Sequence, residues 1–138
     1  MSSIVKPTPI ALVVCDTIYH EQPGGKTALV GLFNEIRAQS VPVRHPRMAV
    51  FASVTGLRED SRAKLDIVHG ENDRPVVCAE GPFPKGTTPL AVVDLHFVFN
   101  NIVFPVEGTY FIRFWGNEHL LVMRPFKVSI QKQEAKKP

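Results

Sequence analysis

The sequence predicts an all-β protein, a single two-layer antiparallel β-sandwich of about eight strands. Three observations carry this. Short apolar segments rich in β-branched and aromatic residues recur at close intervals. Twelve prolines and nine glycines stand between those segments rather than in one tract, where turn punctuation falls. No stretch keeps the 3.6-residue periodicity of an amphipathic helix, and Arg58 to Lys64 has room for one helical turn at most.

The strands follow in order. Pro9 to Tyr19 (PIALVVCDTIY) ends at His20-Glu21-Gln22-Pro23-Gly24-Gly25, whose glycines suit the positive φ of a hairpin turn. Thr27 to Ala38 (TALVGLFNEIRA) reads as the second strand. Pro42-Val43-Arg44-His45-Pro46 reads as a loop, because proline removes a donor and constrains its neighbour. Arg47 to Thr55 is the third strand. In Arg62 to His69, Ala63, Leu65 and Ile67 alternate with Lys64 and Asp66, which predicts a strand with one wet face. Pro75 to Glu80 is a short strand after the turn at Gly70–Arg74. Leu90 to Phe99 places Ala91, Val93, Leu95, Phe97 and Phe99 on one side. Thr109 to Trp115 and Leu120 to Ile130 complete the set, joined through Gly116-Asn117-Glu118.

At 138 residues the chain suits one domain, expected over residues 8–131, with flexible termini at 1–7 and 132–138. No repeat or linker divides it. The formal net charge is +3, but the end of the chain, with Lys132, Glu134, Lys136 and Lys137, supplies most of it. A body near +1 argues against holding a phosphate backbone by charge, so a nucleic-acid partner is not expected. The basic group Arg37, Arg44, His45, Arg47, Arg58, Arg62 and Lys64 has only Phe51 interleaved, too few aromatics for base stacking. The start, Met-Ser-Ser-Ile-Val-Lys-Pro, lacks the pattern of a secretory signal. The apolar run Ile10–Cys15 is far below the ~20 residues of a membrane span. A cytoplasmic protein with two reduced thiols, Cys15 and Cys78, both as small core residues, is the expectation.

Gly108-Thr109-Tyr110 at a strand start, after Phe104-Pro105-Val106-Glu107, resembles the tyrosine corner of immunoglobulin-like sandwiches, and makes Gly108 and Tyr110 candidate structural residues. Ile112 stands where antibody domains place a disulfide cysteine, so the resemblance is to the architecture. Over most of residues 11–130 the chain also resembles a bacterial family of uncharacterised cytoplasmic proteins, each little more than one sandwich. The residues that carry this are Val14-Cys15-Asp16, Leu29-Val30-Gly31-Leu32-Phe33, Ile36-Arg37-Ala38, His45-Pro46 and Phe104-Pro105-x-x-Gly108-x-Tyr110. The resemblance implies a sandwich of unknown function and brings no catalytic residues with it.

Chemistry-bearing motifs are few. Gly25-Lys26-Thr27 matches the end of a phosphate-binding loop, but the first glycine of that motif would fall on His20, and a strand follows in place of a helix. Cys15 has no lysine, arginine or histidine within four positions to activate it. Among the five histidines no pair has zinc-site spacing, but Asp94 and His96 share a strand face and are the candidate metal ligands if a third joins them. No triad, carboxylate pair or cofactor motif points to an enzyme, and no cofactor is expected. One feature rises above a generic sandwich: Ile10–Cys15 and Leu90–Val93 are apolar on both faces, whereas a sandwich interior covers one. The second face implies cover by Arg37–Pro46, by Gly81–Pro89, or by another protein surface to which Trp115 could belong. The expected function is a non-enzymatic interaction module, a homodimer or a binder of another protein through an apolar sheet face; the alternative is a ligand- or metal-binding sandwich using Asp94 and His96.

Overall fold

A computed structural model describes residues 6–58, 60–72, 74–83 and 88–131. Within them lie nine strands: β1 (Thr8–His20), β2 (Thr27–Leu32), β3 (Glu35–Ala38), β4 (Val43–Thr55), β5 (Arg62–His69), β6 (Pro75–Pro82), β7 (Val92–Phe104), β8 (Gly108–Gly116) and β9 (His119–Ile130). They form a four-stranded sheet, β2-β1-β4-β7, and a five-stranded sheet, β3-β9-β8-β5-β6. No helix among the described residues is long and apolar enough to cross a membrane. Of the expected flexible termini, residues 1–5 and 132–138 lie outside the described residues, as do residues 84–87 of the expected covering segment; Pro7 is buried.

The alternation rule explains the interior. Leu12 and Val14 of β1, Met48, Val50, Ala52 and Val54 of β4, Ile102 and Phe104 of β7 face Leu65, Ile67, Tyr110, Ile112, Phe114, Phe126 and Val128 from the other sheet. Phe104 stacks on Phe126, with ring centroids 5.7 Å apart, and meets Tyr110 edge-on at 5.1 Å.

Three expectations are corrected here. Thr27–Ala38 is two strands, because the chain leaves one sheet at Phe33-Asn34 and enters the other as β3. β3 pairs with β9 in parallel, so the sandwich is not purely antiparallel. Pro42–Pro46 is not a loop throughout: β4 already begins at Val43 and pairs with β7 from there. Proline is tolerated because the ladder skips the Pro46–Asn101 step, where Asn101 takes φ 55° and the register continues unshifted.

The turns follow their chemistry. Gly25 adopts φ 73° in the β1–β2 connection, closed by Glu21 N–H to Lys26 O at 2.7 Å. Asn117 and Glu118, at φ 50° and 68°, make the two-residue β8–β9 hairpin with the twist of a type I′ turn.

Candidate functional site

The outer face of the four-stranded sheet collects the residues singled out by sequence. Its cross-strand rows read Ala11, Ser53, Asp94 and Val13, Phe51, His96 and Cys15, Ala49, Val98 across β1, β4 and β7. Val92 lies beside Thr55 at one end, and Leu32 of β2 lies beside Cys15. Most of these side chains are apolar, as the two-faced pattern of Ile10–Cys15 implied. Leu90, expected in the strand, lies instead in the turn before it and is exposed.

Part of this face is covered by the chain itself. Val13 is in register with Phe51 and Phe51 with His96, yet the rings of His20 and His96 are 6.3 Å apart. An extended strand would carry His20 about 24 Å beyond Val13. β1 therefore bends back over the sheet beyond Cys15, taking β2 with it. The bend sits where the β1–β2 ladder omits Asp16 and Gly31. Gly31 has φ 76°, and a Cβ there would lie 2.6 Å from the Asp16 carboxylate, so glycine is favoured. The hairpin, and neither Arg37–Pro46 nor the described part of Gly81–Pro89, supplies this cover. Cys15 and Ala49 become fully buried, while Val30, Leu32, Val92 and Val98 stay exposed.

Asp94 and His96 share the outer face as alternation requires. Asp94 Oδ1 accepts a hydrogen bond from Ser53 Oγ at 2.7 Å, and His96 packs against Phe51 with centroids 5.9 Å apart. No group of three His, Cys, Asp or Glu residues suited to a metal ion occurs among the described residues, so neither is joined by further ligands there.

The outer face of the five-stranded sheet corrects a further expectation. The Lys64–Asp66 side of β5 is not wet at its centre: Asp66 is 1% exposed. Arg113 of the neighbouring β8 donates from Nε to Oδ1 at 2.7 Å and from Nη2 to Oδ2 at 2.8 Å. Trp115 Nε1 lies 3.5 Å from Oδ1, and its ring carries the Arg113 guanidinium at 5.1 Å and Lys64 Nζ at 5.3 Å. Sequence alternation shows the carboxylate but not the register that sets Arg113 opposite it. Trp115 thus belongs to a polar cluster rather than to an apolar patch.

Cys15 is a core-like thiol as expected; burial pushes its pKa up, and its Sγ lies 3.5 Å from Thr17 O. Cys78 is instead exposed, because its edge strand β6 turns it outward opposite Asp66. Tyr110 is fully buried; its hydroxyl donates to Val106 O at 2.5 Å and accepts from Val106 N–H at 3.3 Å. Burial pushes its pKa up as well. Gly108, at φ 133°, leaves room for His69, whose Nε2 a Cβ would approach to 2.5 Å. His69 Nδ1 accepts from Glu71 N–H, so Nε2 is the donor to Glu107 O at 3.1 Å.

Between the two sheets an open cleft of about 500 Å³ is lined by Pro9 to Leu12, Asn34, Val122, Arg124 and Pro125. Arg124 spans it, donating from Nη1 to Leu12 O at 2.9 Å and from Nη2 to Asn34 Oδ1.

The chain belongs to a family of unknown function, DUF6941, whose profile matches residues 10–129. No curated protein matches it. A solved structure to which it is similar is the Pseudomonas fluorescens alkylpurine DNA glycosylase AlkC bound to DNA containing an abasic site analog, with TM-score 0.50 and 10% sequence identity. The match covers 92% of this chain and 31% of that one, so the chain spans about a third of that protein. The likeness concerns the fold alone.

Proposed function

We propose that this family member is a non-enzymatic interaction module that self-associates through its four-stranded sheet. The observation that carries the reading is the partly covered outer face of that sheet. The β1–β2 hairpin buries Cys15 and Ala49, yet Leu32 remains 66% exposed and Val92 61% exposed on the same side. Apolar surface left in water forgoes about 25 cal/mol per Å², which a second protein surface recovers. Two-fold pairing of identical chains is the commonest way soluble proteins do so. The reading includes an immunoglobulin-like kinship, supported by the Tyr110 hydroxyl bonded to Val106, and a bacterial cytoplasmic setting, supported by two free thiols.

Light scattering across micromolar concentrations tests it. A mass of twice the 15.4 kDa chain that falls on dilution supports self-association. A mass of one chain at every concentration overturns it.

A further inference from the structure

Each sheet of an open sandwich ends in strands with one row of unpaired backbone groups, and most such edges carry features that deter pairing. β6 has Pro75 and Pro82 at its ends; β2 and β3 are short, at six and four residues. The part of β1 beyond the reach of β2 has Pro9, and Arg124 occupies its Leu12 carbonyl; the facing part of β9 carries Pro125. β7 differs. It is 13 residues long, ends the order of its sheet, and reads VVDLHFVFNNIVF, with no proline, lysine or arginine. Among the described residues, nothing pairs with its outer edge. Of the described residues just before it, Pro89 and Ala91 are tied to the end of β4, through Gly56 N–H to Pro89 O at 3.0 Å and Thr55 Oγ1 to Ala91 O at 2.8 Å.

The side chains of β7 are also complementary to their own reverse. On the outer face the strand presents Val92, Asp94, His96 and Val98 in turn. Antiparallel pairing of two copies about Leu95 sets Val92 opposite Val98, and Asp94 opposite His96, twice over. On the inner face it sets Leu95 opposite Leu95 and Val93 opposite Phe97, all half-buried apolar side chains at the margin of the core. Val92 and Val98, 61% and 43% exposed in one chain, would cover each other. Ser53 occupies Oδ1 of Asp94, and a carboxylate has further lone pairs for the imidazole of the second copy. Opposite charges or hydrogen-bonding partners directly across an antiparallel pair stabilise it, and like charges oppose it.

We propose that β7 is the seam of a two-fold dimer, with Leu95 on the axis, Asp94 of each copy facing His96 of the other, and the two four-stranded sheets joined into one of eight strands. The partner is a second copy of this chain. This rests on the self-association reading and places the contact at the β7 edge, where it covers Val92, while Leu32 on β2 lies at the opposite edge of the sheet.

Two measurements test it together. The first is the dimer dissociation constant, by sedimentation velocity, for the natural chain, for His96→Asp, and for the swap Asp94→His with His96→Asp; circular dichroism confirms that each folds. His96→Asp places carboxylate against carboxylate twice and should weaken the dimer at least tenfold, while the swap should restore it. The second is disulfide formation on a Cys78→Ser background. Opposed Cα atoms in an antiparallel pair lie about 4.5–5.5 Å apart, within disulfide reach. A mixture of Val92→Cys and Val98→Cys chains should cross-link, and either alone should not. A dimer that is indifferent to His96→Asp and gives no cross-link in the mixture overturns the β7 seam and leaves self-association standing. A natural chain that stays monomeric overturns both.

Discussion

Replacing Arg113 by methionine should cost this protein about 3 kcal/mol, and the cost should nearly vanish when Asp66 is also replaced by leucine. Asp66 is 1% exposed and takes two charge-assisted bonds from Arg113, at 2.7 and 2.8 Å. Among the described residues, the further side-chain donor near it is Trp115 Nε1, at the margin of hydrogen-bonding distance. Each bond to a charged group contributes about 1.5–3 kcal/mol, and breaking a buried pair from one side costs about 3–5 kcal/mol. The Arg113 side chain is 21% exposed, so water can reach the vacated side, and the low end of that range applies. For a chain of this length about 3 kcal/mol lowers Tm by about 10 °C. In Asp66→Leu with Arg113→Met both charges are gone and stability should lie within about 1 kcal/mol of the natural protein. Urea midpoints and scanning calorimetry of the two single variants and the double close the cycle. A cost below about 1 kcal/mol for Arg113→Met would refute the reasoning, since an isolated carboxylate at that burial cannot be so cheap.

The other predictions concern single elements. Tyr110→Phe keeps the fold and loses about 1 kcal/mol, for one buried hydrogen bond to Val106; an unchanged urea midpoint would show that the hydroxyl contributes nothing. Gly31→Ala loses about 2 kcal/mol, from the left-handed φ and the approach to Asp16; equal stability would mean that the β1–β2 bend does not depend on that geometry. A thiol reagent should titrate Cys78 promptly in the folded protein and reach Cys15 only after denaturation, because Cys15 is buried and its thiolate is disfavoured. Prompt reaction of both would place Cys15 within reach of solvent.

The sandwich was legible because it rests on local signals. Alternation in Arg62–His69 and Leu90–Phe99 and glycine or asparagine at the turns sit in the sequence itself. What escaped depends on neighbours distant in sequence. Thr27–Ala38 has no proline to mark a break, and its division between two sheets follows from where β1 and β9 stand. Pro46 breaks a strand in isolation but is harmless where the β4–β7 ladder skips the Pro46–Asn101 step. Asp66 alternates as a solvent residue and is closed over by Arg113 and Trp115, which lie 47 and 49 positions away. At the site, the shared face of Asp94 and His96 was legible from spacing. The fold-back of β1 that brings His20 beside His96 was not, since Gly31 marks a bend without giving its direction.

Amide hydrogen exchange along β7 tests the central claim most directly. In an isolated chain, alternate amides of Val92 to Phe99 point away from β4 and have no strand to protect them. If the chain associates through that edge, their exchange slows as protein concentration rises, while β8, already paired on both sides, is unchanged. Exchange along β7 that stays fast and independent of concentration, under conditions where scattering reports a dimer, would contradict the account.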